Sequence, residues 1–131
     1  MNNNTADDAG KLILRLTIGL LILLHGIAKL TGGVEGIAGM VTGIGLPATL
    51  AYAVFIGEIL GPVLVVIGFY ARIGAALIAI NMVVAVLLAH SDELFTLGPQ
   101  GGWALELQGM FFFTALALVF TGPGRLSING R

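Results

Sequence analysis

A chain of 131 residues that is 57% hydrophobic and 10% charged, with a mean hydropathy of +1.02, lies outside the composition of soluble domains, in which about a quarter of residues are charged. It is expected to be an integral membrane protein built as a single domain over residues 1–131, in contact with a lipid bilayer. A net charge of −1 leaves no basic surface for nucleic acid, which excludes DNA and RNA as partners, and the absence of cysteine removes disulfides, thiolate metal ligands and thiol exchange.

In chain order, MNNNTADDAG is polar and acidic, and no small-x-small cleavage site follows the first apolar run. It reads as a short cytoplasmic tail rather than a cleaved signal peptide. Lys11 to Leu30 is apolar yet carries Arg15, His25 and Lys29. The steps Arg15, Ile18, Ile22, His25, Lys29 alternate three and four residues, so all five fall on one face of a helix. Ionisable side chains inside a bilayer cost several kcal/mol unless they face the bundle interior, pair or snorkel. The stripe therefore requires partners from the rest of the chain.

A hydrocarbon span takes about 20 apolar residues. Four stretches qualify, at about 12–30, 48–69, 73–89 and 103–120. The first is followed by TGGVEGIAGMVTGIGLP, whose glycines favour turns or a short interfacial helix before Pro47. Only Tyr70, Ala71 and Arg72 separate the second and third, which predicts an antiparallel helical hairpin. After the fourth, Gly122, Pro123 and Gly124 stop the helix. The expected fold is all-α, an antiparallel four-helix membrane bundle.

Lys11, Arg15, Arg72, Arg125 and Arg131 lie on one side of this bundle and Lys29 on the other, which places both termini in the cytoplasm. Arg15 is expected to snorkel to cytoplasmic phosphates, and Lys29 to the outer interface. Gly57 and Gly61 form a G-x-x-x-G, read as close packing within the chain in preference to a dimer face.

By depth, Glu58 and Asn81 fall near mid-membrane. His25, Lys29, Glu106 and Gln108 lie in the outer half, and His90 at the outer end of the third helix. A mid-membrane Glu facing His25 or Lys29 is poised to exchange protons, or else it only ties helices together. His25 is open to three readings: haem or metal ligand, hydrogen-bond partner of a quinone, or imidazole packed against Glu58. Two histidines on different helices make a poor metal set and a weak case for bis-histidine haem. Asn81 reads foremost as interhelical glue, and Trp103 as an interfacial anchor. No phosphate-binding loop, dinucleotide fingerprint, nucleophile elbow or metal-spaced cluster is present in the sequence.

HGIAKL at 25–30, GEILGPVLVVIGFYAR at 57–72, NMVVAVLLAH at 81–90, LELQG at 105–109 and TGPGRLSING at 121–130 resemble the DoxX family of small four-helix bacterial membrane proteins. The resemblance covers nearly the whole chain from Leu14. It implies that Arg15, His25, Lys29, Glu58, Arg72, Glu106 and Arg125 are the family's polar motif positions, while Asn129 stands where an acidic residue is usual. It also implies an inner-membrane location and a link to membrane oxidoreductase assemblies of redox and sulfur-stress defence. The expected function is a quinone-interacting subunit with Glu58 and His25 as proton-exchanging groups. Lys29, Asn81, Glu106 and Gln108 complete its pocket, and a partner protein supplies electrons. Arg15, Arg72 and Arg125 would serve topology. The alternative is a non-enzymatic scaffold or a small homo-oligomeric transporter.

Overall fold

The computed structural model describes residues 3–131, and the chain is helical with one isolated β-bridge among them. Helix α1 (Asn3–Gly32) runs 30 residues, about 45 Å at the helical rise and longer than a bilayer core. The expected polar tail is thus helical from Asn3 onward, and residues 1 and 2 lie outside the described residues. Those early turns are held because the buried Asp8 carboxylate accepts from both the backbone N–H and the Nε of Arg125, at 3.0 and 2.6 Å. The glycine-rich segment that follows forms the short helix α2 (Glu35–Gly43).

The second apolar segment is helical over Ala48–Ile67, with three windings in succession. A 3₁₀ turn (Ala48–Ala53) follows Pro47, a single π-helical turn spans Ile56–Leu60, and helix α3 (Gly61–Ile67) completes it. The chain reverses through Gly68 (φ 71°) and Tyr70 (φ 47°), both left-handed. Helix α4 (Ala71–Ala89) then starts two residues ahead of the expected position.

The fourth apolar helix, α5 (Glu106–Thr121), has 16 residues and starts later than the expected Trp103. Residues before it fold into a small hairpin instead. Leu97 bridges Trp103, the Trp103 indole donates to the Leu94 carbonyl at 2.8 Å, and Gly98 receives and returns backbone bonds around Pro99–Gly102. The turn residues Pro99, Gly101 and Gly102 favour that reversal over a helical start. Among the described residues, three helices are therefore long and apolar enough to cross a membrane, at Asn4–Gly32, Ala48–Ile67 and Ala71–Ala89, with α5 a shorter apolar fourth.

Ile18, Ile22, Val65, Ala75, Ile78, Ala79, Ala115 and Leu118 form the shared core, with Phe111, Phe112 and Val119 against it. Glycines let the backbones approach. A Cβ on Gly26 would run into the Glu58 carbonyl, and a Cβ on Gly57 into the Asn81 side chain. Gly61 and Gly74 face each other's carbonyl oxygens. The G-x-x-x-G pair thus packs inside the chain, on α4.

Arg15 does not snorkel. It is 1% exposed, and its guanidinium donates to four carbonyls: Val65 (2.9 Å), Val66 (3.0 Å), Pro123 (3.1 Å) and Leu126 (2.7 Å). The first two belong to the last turn of α3, whose carbonyls lack intrahelical donors. Arg72 does the same for α5, donating to Val119 and Phe120 at 3.0 and 2.9 Å. Residues 121–131 close this end of the bundle. Ile128 and Asn129 donate through their backbone N–H groups to the Ile67 and Gly68 carbonyls, and the Asn129 side-chain Oδ1 accepts from the Tyr70 and Arg131 backbone amides.

Candidate functional site

Asp8, Arg15 and Glu58 are the buried charged side chains among the described residues. Asp8 and Arg15 belong to the closure of the end that carries both chain ends. Glu58 is elsewhere, toward the end where α1 finishes, and it is 4% exposed.

The π-helical turn Ile56–Leu60 positions it. Such a turn holds one more residue than an α-turn and rotates what precedes it about the axis, and π-turns recur at functional sites. Glu58 Oε1 accepts from Lys29 Nζ at 2.6 Å, and Oε2 accepts from Asn81 Nδ2 at 3.0 Å. Three helices thus meet on one carboxylate. Lys29 does not extend to an interface as expected; its ammonium pairs with Glu58, and the side chain is 29% exposed. Pairing with a carboxylate inside an apolar bundle outweighs solvation of the ammonium at the rim.

Two cavities share this ion pair as a wall. The smaller, about 130 Å³, is lined by Ile22, His25, Lys29, Glu58, Met82, Ala85, Leu107, Gln108 and Phe111. The His25 ring stands edge-on to Phe111, with centroids 6.2 Å apart. The larger, about 720 Å³, lies between α2, the Ala48–Ile67 segment and α4. Lys29, Glu58, Asn81, His90 and Gln108 are its polar lining, and Ile, Leu, Val, Met, Ala and Gly make up the rest. Lys29, Glu58, Ala85 and Gln108 border both.

The structure therefore brings together His25, Lys29, Glu58, Asn81 and Gln108. It does not bring in Glu106, which is exposed in the first turn of α5 and folds back over Gly102. A carboxylate there complements the helix N-terminus. Sequence reasoning missed the apolar walls and the place of His90, which borders the larger cavity and pairs with Glu93 at 2.8 Å. The only available signal was Ile37, Met40 and Val41 at helical spacing in α2.

Chemically, the small cleft offers an apolar slot of about the size that holds one six-membered ring, since a cavity of about 150 Å³ takes up benzene. An ammonium, an imidazole and a carboxamide stand at its edges, beside a carboxylate already joined to the ammonium. A flat ring with oxygen substituents fits that donor set.

The DoxX family model matches residues 10–91. "Putative oxidoreductase CatD" of Bacillus subtilis (strain 168) is 29% identical over 126 residues, covering 96% of this chain and 89% of its own. An uncharacterized membrane protein of Mycobacterium tuberculosis is 32% identical over 132 residues, covering 90% of this chain and 78% of its own. An uncharacterized protein of Haemophilus influenzae is 27% identical over 121 residues, with 90% and 87% covered. No solved structure matches the chain.

Proposed function

This chain belongs to the DoxX family and is a multi-pass membrane protein, and on that premise we propose that it is a quinone-interacting subunit of a membrane oxidoreductase assembly. The proposed setting is the bacterial inner membrane, as an antiparallel four-helix bundle with both termini in the cytoplasm and a partner protein supplying electrons. The observation that carries the proposal is the Lys29–Glu58–Asn81 cluster standing as the wall between a ring-sized cleft and an apolar cavity. The oxidoreductase name of the Bacillus subtilis relative supports a redox role.

A bound quinone supplies the capacity to take up two electrons and two protons. The chain's own residues orient the ring and handle protons. Phe111 and Ile22 offer apolar surface, while Gln108 and His25 present hydrogen-bonding atoms at the cleft edge. Lys29 Nζ, 2.6 Å from Glu58 Oε1, holds a proton at the cleft edge where a quinone oxygen would accept it. Asn81 keeps the carboxylate in place through its other oxygen.

Gentle purification from native membrane, organic extraction and mass spectrometry test this directly. A stoichiometric quinone is expected in wild type and not in Glu58→Gln or His25→Ala. Unchanged quinone-dependent activity of the assembled complex in both variants defeats the proposal. One observation favours a second reading, a non-enzymatic scaffold: both Glu58 oxygens are already engaged and no buried side-chain polar atom among the described residues lacks a partner. In that case the same variants lose stability or assembly without selective loss of turnover.

A further inference from the structure

The ring-sized cleft accounts for only part of the space around Glu58. The larger cavity is more than five times its volume, about 720 against 130 Å³. Its polar groups are confined to the wall it shares with the cleft and to Asn81 and His90, while Ile37, Met40, Val41, Leu50, Leu77 and Val84 are among its apolar lining. Its lining is therefore mostly apolar, with polar groups at the Lys29, Glu58, Asn81 and Gln108 wall and at His90. Helix α2 and the 3₁₀ turn after Pro47 pack on each other, and α2 also touches α4, so the three elements together form its sides.

We propose that this cavity is the seat of an extended prenyl tail, so that the ligand is a long-tailed quinone whose head reaches the Lys29–Glu58 wall. The inference rests on the functional reading above and adds the part of the ligand that sets affinity. Adjacency argues for this occupant: Lys29, Glu58, Ala85 and Gln108 border both spaces, so a polar head at that wall leaves its apolar tail along the lining of the larger one. The apolar lining carries no specificity for oxygen functions, and a cavity of this volume lies within the range of small-molecule sites. Selection between tails is by length and bulk.

The test compares quinones of one ring type with no tail, with two isoprene units and with a long tail, bound to the full chain in lipid nanodiscs. Wild type is compared with Ala53→Trp and Val84→Phe, which place bulk in the cavity at exposed positions. The wild-type to variant ratio of affinities at each tail length cancels partitioning into lipid. The expected result is a ratio that rises with tail length to about tenfold or more, the worth of burying a few methylene groups. Circular dichroism and melting of both variants show whether they fold, and two chemically different fillers guard against one failing. A ratio that does not change with tail length overturns the inference while tailless binding leaves the functional reading standing. A stoichiometric phospholipid extracted with the wild type, displaced by neither variant's bound quinone nor by long-tailed quinone, also overturns it. Absence of binding at every tail length defeats the functional reading and this inference with it.

Discussion

Arg15 shows how far a single side chain can act as structure. Its planar fork meets four carbonyl oxygens on two segments more than fifty residues apart in sequence, a geometry that an ammonium cannot copy. Arg15→Lys is expected to cost about 2–4 kcal/mol, because buried carbonyls lose their donors, and thermal unfolding in detergent reads the loss. The Lys29–Glu58 pair behaves differently, since removing either partner strands the other in an apolar setting. The losses of Lys29→Met and Glu58→Leu, summed, are expected to exceed that of the double variant by a coupling of about 1–3 kcal/mol in a double-mutant cycle. Additive effects would show that the pair contributes no stability. Of the stripe expected from spacing, Arg15, Ile18 and Ile22 are each 1% exposed, whereas Lys29 is half-buried and the His25 ring is exposed at the edge of the cleft. What the stripe met was not legible for Arg15, because its acceptors are main-chain oxygens, which every residue has.

Among the elements, the π-helical turn governs the site. Composition does not mark it: Ile56–Leu60 reads IGEIL and suits an α-helix equally well. The winding coincides with close packing of Gly26 on the Glu58 carbonyl and of Gly57 on Asn81, tertiary contacts invisible to periodicity. Deleting Ile59 is expected to restore α-helical winding and swing Glu58 by about 100° relative to α3. Helical content by circular dichroism should persist while the extracted quinone is lost. The boundaries of α4 and α5 illustrate the same limit from the other side. Gly68 and Tyr70 together make a reversal short enough for α4 to start at Ala71, whereas Trp103 is drawn out of α5 by its indole bond to Leu94. Local chemistry gave the turns, and only the tertiary partner decided where each helix begins.

At the scale of the whole molecule, the two ends of the chain are tied by Asp8 and Arg125. The Arg125 backbone N–H, then its guanidinium, hold the Asp8 carboxyl below its ordinary range, outside the apolar stretch of α1. A carboxyl that titrates lower when folded adds stability above its unfolded pKa of about 4, and the addition fades as pH falls through the lower folded value. Melting temperature against pH should therefore drop on the acid side in wild type, and drop less in Asp8→Asn, which lacks the titrating group. Equal acid slopes would show that the tie contributes nothing. The closure of this end also has an order in time. Arg15 lies near the start of the chain, while Pro123 and Leu126 are added more than a hundred residues later. During synthesis the Arg15 guanidinium gains the Val65 and Val66 carbonyls first and those of Pro123 and Leu126 only later, so residues 121–131 act as a latch thrown late.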